Sequence, residues 1–187
     1  MKLTRLPLGK APSKAQIRQL YTTAFPKEEQ MPWYVLRLPS LRRGMGVDGY
    51  YADGRFCGMT FSAATDKVLF VLFLAVAADV RGQGYGSAIL EKLRQSYPAH
   101  TILLNVELLD PQADNYAQRV QRMHFYKKNG FYDTGYDIDE VGGTFRVLST
   151  APRLCVADYL QVFGKISYGF WKPYIREGEM YDQRTDA

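Results

Sequence analysis

The stretch Leu74-Ala75-Val76-Ala77-Ala78-Asp79-Val80-Arg81-Gly82-Gln83-Gly84-Tyr85-Gly86-Ser87 decides how this chain reads. It closes an unbroken apolar run from Val68 to Ala78, suited to a buried strand and too short to cross a bilayer. A turn with glycine at 82, 84 and 86 follows, and then a helix opening Ser87-Ala88-Ile89-Leu90-Glu91-Lys92-Leu93-Arg94. Alternating glycines at a helix mouth expose consecutive backbone N–H groups with no side chain in the way. Those donors, with the positive end of the helix dipole, make a seat for a phosphate group. Arg81 at the lip of the turn can add a charged fork to the same anion. The stretch predicts a phosphorylated ligand.

Spacing rules out two familiar phosphate loops. A P-loop closes with Lys-Ser or Lys-Thr, whereas Tyr85-Gly86-Ser87 closes this turn without lysine. A dinucleotide fingerprint needs Gly-x-Gly-x-x-Gly; counting from Gly82 ends on Ser87, and counting from Gly84 ends on Ile89. The spacing that fits is Arg-x-x-Gly-x-Gly, read on Arg81, Gly84 and Gly86. After a hydrophobic strand and before an amphipathic helix, this pattern resembles the GNAT superfamily of acyl-CoA-dependent N-acetyltransferases. A second element strengthens the resemblance. The strand-like Thr101–Leu109 leads through Asp110-Pro111 into a helix ending Phe125-Tyr126-Lys127-Lys128-Asn129-Gly130-Phe131. That ending looks like the GNAT helix that finishes in a tyrosine followed by Gly-Phe. Gly130 suits the left-handed residue that stops a helix, with Lys127 and Lys128 at its negative end. Together the two elements cover roughly residues 68 to 132.

The resemblance implies a fold and a set of roles. The fold is α/β (α+β mixed sheet), a GNAT-like central mixed sheet flanked by helices. Arg81, Gly82, Gln83, Gly84, Tyr85, Gly86 and Ser87 would hold the pyrophosphate of coenzyme A. Leu74 and Val76 would pair main-chain groups with its pantetheine arm, and an N–H at or near Val76 would stabilise the oxyanion. Asn115 matches a coenzyme-contacting asparagine, although the loop from Leu109 to Asn115 is longer than in leaner family members. Tyr126 matches the tyrosine that protonates or hydrogen-bonds the coenzyme sulfur; the alternative is a core aromatic beside Phe125.

Acetyl transfer to an amine needs a neutral nucleophile, a stabilised oxyanion and a protonated or hydrogen-bonded leaving thiolate. An alkylamine is almost wholly charged at neutral pH, so a base or a desolvating pocket is required. Glu107, near the C-terminal end of its strand where α/β sheets place their ligand crevice, is the first candidate base. Glu28 and Glu29, in the loop Pro26-Lys27-Glu28-Glu29-Gln30-Met31-Pro32-Trp33, could instead bind or deprotonate a cationic amine. With Trp33 they suit a small amine or a peptide amino group as acceptor. His100 and His124 receive no role, and neither Ser87 nor Cys155 has a nearby base for a covalent acyl-enzyme.

At 187 residues the chain fits one domain, expected over residues 1–176 with a fraying polar tail at 177–187. Its 47% apolar and 14% aromatic content argues against disorder. No secretory apolar region follows Met1, and Cys57 and Cys155 stand far apart outside any metal-ligand spacing. We therefore expect a cytoplasmic protein with acetyl-CoA as donor substrate, no metal, no membrane association and a homodimer among the permitted assemblies. The net charge of +5 is dispersed, with Arg42-Arg43 and Lys127-Lys128 the obvious pairs. Such a field suits coenzyme A phosphates and argues against nucleic acid as partner. A coenzyme A-binding regulatory module without turnover is the alternative function.

Further elements complete the layout. Lys2–Leu6 reads as a first strand, and Ser13 caps a helix with Ile17, Leu20 and Tyr21 on one face, ended by Pro26. Pro32 and Pro39 bracket an irregular or partly helical stretch. Val47–Tyr51 and Phe56–Phe61 flank Asp53-Gly54 as a hairpin. Phe131–Tyr136 and Thr144–Leu148 read as late strands turning at Gly142-Gly143, with a helix around Asp158–Phe163.

Overall fold

A computed structural model describes residues 2–37, 44–140, 143–167 and 173–178. Pro39, the Arg42-Arg43 pair, Gly142 of the late turn and residues 179–187 of the tail lie outside the described residues. The chain divides into two compact units, residues 1–100 and 101–187.

The first unit is a meander of four antiparallel strands: β1 (Thr4–Pro7), β2 (Met45–Ala52), β3 (Arg55–Ala64) and β4 (Val68–Val76). Asp53 and Gly54 both take positive φ, 48° and 81°, so the β2–β3 hairpin turns in the sense that matches strand twist. Helix α1 (Lys14–Ala24) begins where Ser13 Oγ accepts the Gln16 N–H, and it buries Ile17, Leu20 and Tyr21. Helix α2 (Trp33–Arg37) follows a 3₁₀ turn at Lys27–Glu29, and helix α3 (Tyr85–Ser96) follows β4. Residues alternate across β3, so α1 and α3 cover opposite faces. Phe73, beside Phe61, meets Tyr21 and Phe25 of the α1 region, while Gly58 faces Ile89 of α3.

Gly58 fixes how closely α3 approaches the sheet. A Cβ there would lie 2.5 Å from the Ala75 carbonyl oxygen and 2.8 Å from Ile89 Cδ1. The backbone oxygen cannot yield, so Gly58→Ala is expected to lower the thermal midpoint by roughly 3–10 °C, from an overpacking cost of about 1–3 kcal/mol. Scanning calorimetry reads the shift; an unchanged midpoint would mean that β3 and β4 separate freely here. Strand β4 is also bent. Phe61 pairs with Phe73 and Ser62 with Val71, leaving Leu72 as the extra residue of a bulge two positions before Leu74.

The second unit holds β5 (Thr101–Glu107), β7 (Gly143–Ser149), β6 (Tyr132–Glu140) and β8 (Tyr174–Glu177), antiparallel in that spatial order. Helix α4 (Tyr116–Lys128) precedes β6 and helix α5 (Val156–Ile166) follows β7. Gly130 has φ 76° just beyond α4, as a helix-stopping glycine should. Two readings needed correction. Strand β6 continues past Tyr136 to Glu140, and Glu177, expected at the start of the tail, pairs with Tyr136 as the last residue of β8.

Arg146 explains the longer β6. Its side chain is 2% exposed; Nε donates to Asp137 Oδ1 at 2.6 Å and Nη1 to both Asp133 oxygens at 2.9 Å. Two extra residues of β6 between Asp133 and Asp137 bring both carboxylates to the one guanidinium. Gly178 seals the cluster. A side chain there would collide with the Asp137 carboxylate and lie 2.9 Å from Arg146 Nη2.

Candidate active site

The glycine turn leaves its donors bare. Gly84 is the N-cap of α3 with φ 83°, and a glycine has no side chain to cap the helix. The first intrahelical bond runs from the Ala88 N–H to the Gly84 carbonyl at 3.1 Å. The amides of Tyr85, Gly86 and Ser87, one turn earlier, are the orphan donors every helix start carries. Around Gly82 and Gly84 there is open space where a Cβ would be. Arg81 is exposed and tied down by one bond, Nε to the Val76 carbonyl at 3.2 Å. That bond leaves both terminal nitrogens of the guanidinium for an anion. Gln83 Nε2 donates back to the Asp79 carbonyl, and Asp79 is bridged to Arg55 at 2.7 Å, which braces the turn from outside. Leu74 and Val76 are half-buried against the cluster that contains Tyr50, Val80 and Ile89.

In the second unit the strand-end carboxylate is heavily engaged. Glu107 Oε1 accepts from Asn115 Nδ2 at 3.0 Å and lies 3.1 Å from Arg119 Nη2, while Oε2 accepts from Arg122 Nη1 at 2.7 Å. Asn115 Oδ1 in turn accepts from Arg119 Nε at 2.7 Å. Both polar atoms of Asn115 are thus spent beside Glu107. Tyr126, four residues after Arg122 on α4, is 8% exposed and packs edge-on against Phe125 and Phe131. Burial pushes its phenol up to about 12, against an opposing pull from the Arg122 charge.

The expected acceptor residues sit in one pinned loop of the first unit. Gln30 Nε2 donates to the Phe25 carbonyl at 2.7 Å and to Thr22 at 3.1 Å, closing the end of α1, and the Tyr21 hydroxyl donates to the Met31 carbonyl. Glu28 is exposed and Glu29 half-buried. Trp33 stands 6.1 Å from the Tyr21 ring, which also meets Phe25 and Phe73. Among the described residues no three His, Cys, Asp or Glu side chains converge as a metal site requires, and no helix is long and apolar enough to cross a membrane.

A family model described as an acetyltransferase (GNAT) domain matches residues 48–133, from within β2 to the start of β6. Over residues 48–133 the chain carries a GNAT acetyltransferase domain. The enzyme class follows: this is an acyltransferase domain, and the match spans the glycine turn, Glu107, Asn115 and Tyr126.

Solved structures share the fold. An acetyltransferase assigned to the GNAT family from Bacteroides thetaiotaomicron is 21% identical, with TM-score 0.71 over 91% of this chain and 100% of that one. Arabidopsis thaliana Naa50, held in complex with the bisubstrate analogue CoA-Ac-MVNAL, is 21% identical, with TM-score 0.55 over 81% of this chain and 99% of its own. The aminoglycoside 6'-N-acetyltransferase of Enterococcus faecium is 15% identical, with TM-score 0.60 over 82% and 99%. These are structures of the mixed α/β class with a central sheet and flanking helices, as the sequence predicts. No curated protein sequence matches the chain.

Sequence reasoning missed Arg119 and Arg122 of the GNAT domain. Their spacing with Tyr126 (positions i, i+3 and i+7) marks one helix face, and that periodicity was the available signal. Their partner, Glu107, lies on a different element, so the ion pairs themselves left no local trace.

Proposed function

We propose that this GNAT domain moves the acetyl group of acetyl-CoA onto a primary amine by direct attack in a ternary complex. The observation that carries the reading is the uncapped start of α3: the orphan amides of Tyr85, Gly86 and Ser87, with Arg81 anchored by Nε alone. Backbone donors at a helix N-terminus and a guanidinium suit the diphosphate of coenzyme A. The dispersed positive charge would then serve an anionic donor rather than a nucleic acid.

In the reaction the neutral amine nitrogen attacks the thioester carbonyl carbon, forming a C–N bond and a tetrahedral oxyanion. Collapse breaks the C–S bond and releases coenzyme A thiolate, while the surplus proton on nitrogen passes to solvent. An N–H at or near Val76 is assigned to the oxyanion, and Leu74 and Val76 to the pantetheine arm. Tyr126 is assigned to the sulfur. With its phenol near 12 and an ordinary thiol near ~8.5, outright proton transfer to the thiolate is uphill. Tyr126 therefore acts as a hydrogen-bond donor that steadies the leaving group.

Glu107 takes a different part from the one first considered. The Glu107 oxygens already accept from two guanidiniums and an amide. We assign it to holding Arg119 and Arg122 in place. Glu107→Gln is expected to lower kcat/KM by less than about tenfold and to leave the acid limb of the pH profile where it was, whereas loss of a general base costs about a hundredfold or more. Steady-state kinetics across pH reads the difference.

Incubation with acetyl-CoA and a panel of polyamines, aminoglycosides, amino acids and peptides, followed by thiol release, tests the function. Release with at least one amine is expected. The engagement of Glu107 favours a second reading, coenzyme A binding without turnover; donor binding with no thiol release across the panel would establish that one instead.

A further inference from the structure

The second unit contains a polar cluster that the mechanism above does not use. Along β5, Leu104 and Val106 are buried while Asn105 is half-buried on the other face. Asn105 Nδ2 donates to Glu140 Oε1 of β6 at 2.7 Å and to the Tyr159 hydroxyl of α5 at 3.0 Å. Exchanging the amide oxygen and nitrogen would set two acceptors against each other at the Glu140 contact, so the orientation is fixed by its partners. Oδ1 is then a buried acceptor with no hydrogen-bond partner among the described residues. Buried acceptors are almost always satisfied, and one left open beside a carboxylate calls for a further donor.

Tyr159 makes the cluster rigid. It is 0% exposed, stacked on Phe163 and hydrogen-bonded to Glu140. Burial and the Glu140 charge hold its phenol well above the ordinary value, so it keeps its proton. Three elements thus hold the Asn105 amide, its nitrogen between a carboxylate and a phenol and its oxygen open. A hard metal ion wants about six oxygens and usually more than one carboxylate, which this cluster does not offer. A primary ammonium fits better: it is cationic and carries three N–H donors.

We propose that Asn105, Glu140 and Tyr159 form the recognition site where the acceptor's primary ammonium group arrives, with Asn105 Oδ1 accepting one N–H and Glu140 supplying the opposite charge, the nitrogen giving a proton to solvent before it attacks. This deepens the acetyltransfer reading and rests on it for the word acceptor.

The test titrates the full-length, ¹⁵N-labelled protein with methylammonium, n-butylammonium and 1,4-diaminobutane chlorides, following the Asn105 side-chain NH₂ resonances. Controls are n-butanol and potassium chloride. The amines should shift those resonances saturably and the controls should not. Glu140→Gln should weaken the amine effect by about tenfold or more, the loss expected for a charge-assisted hydrogen bond. Tyr159→Phe serves as an independent variant with the same expected direction. In turnover with an amine substrate, Glu140→Gln should raise KM for the amine by a similar factor and leave KM for acetyl-CoA unchanged. No saturable shift in the wild-type protein, or an unaltered amine KM in Glu140→Gln, would overturn the site. The two readings fail separately: Asn105 shifts without thiol release would keep the ammonium site and end its role in acetyl transfer, while thiol release without Asn105 shifts would end the site alone.

Discussion

Gly84→Glu is expected to abolish coenzyme A binding while Gly84→Ala keeps most of it. Gly84 has φ 83° with open space where its Cβ would lie. Both variants therefore carry the same left-handed backbone strain, about 1–2 kcal/mol, and neither meets a steric clash. The difference between them isolates charge. A glutamate side chain at the cap of α3 can reach the helix's own orphan amides, so it fills the phosphate seat with a carboxylate and repels the ligand. Losing two charge-assisted hydrogen bonds at about 2 kcal/mol each weakens binding by roughly a thousandfold. Titration calorimetry with coenzyme A reads the affinity. Thermal midpoints supply the control, because self-capping should leave Gly84→Glu no less stable than Gly84→Ala. Equal affinity in the two variants would move the anion seat away from this turn.

Tyr126→Phe is expected to lower kcat by roughly tenfold to a hundredfold, the loss of one hydrogen bond to a charged leaving group at about 1.5–3 kcal/mol, with KM for acetyl-CoA little changed. The pH dependence carries a further signature. Because burial raises the phenol to about 12, it stays protonated through the neutral and mildly alkaline range, so the variant should show a lower profile of the same shape. Stability gives an independent reading. The folded pKa lies above the unfolded value of 10, so the native state keeps a proton that the unfolded chain has already lost. The stabilisation is whole below pH 10 and is lost as pH rises through about 12. Alkaline unfolding of Tyr126→Phe should lack that part of the slope. Full activity in the variant would remove the phenol from the chemistry and leave it a core aromatic.

The elements legible in the sequence were those whose determinants are local. The apolar run of β4, the glycine turn and α3 follow one another without interruption. Ser13 caps α1 by a bond to Gln16, only three residues on, and Asp53-Gly54 sets its own turn. What escaped depends on partners distant in sequence. The expected strand stops at Tyr136, short of Asp137 and Glu140, yet Arg146 on the next strand makes Asp133 and Asp137 buried strand residues. Glu177, the last residue of β8, resembled the start of a tail because its partner Tyr136 lies about forty positions back in the chain. Glu107 looked like an open carboxylate because Arg119 and Arg122 belong to a later helix. The Asn105–Glu140–Tyr159 cluster gathers three elements, and no spacing rule joins them.

The buried Arg146 ties the fates of three codons together. Losing the guanidinium alone would strand two aspartates in a dry interior, at a cost of about 3–5 kcal/mol, while a joint change to hydrocarbon side chains could be nearly neutral. Each single step away from the present trio descends steeply before any rise. Lineages carrying this sheet should therefore keep Asp133, Asp137 and Arg146 together or exchange them together, and laboratory libraries that vary one position at a time should find that corner nearly immovable.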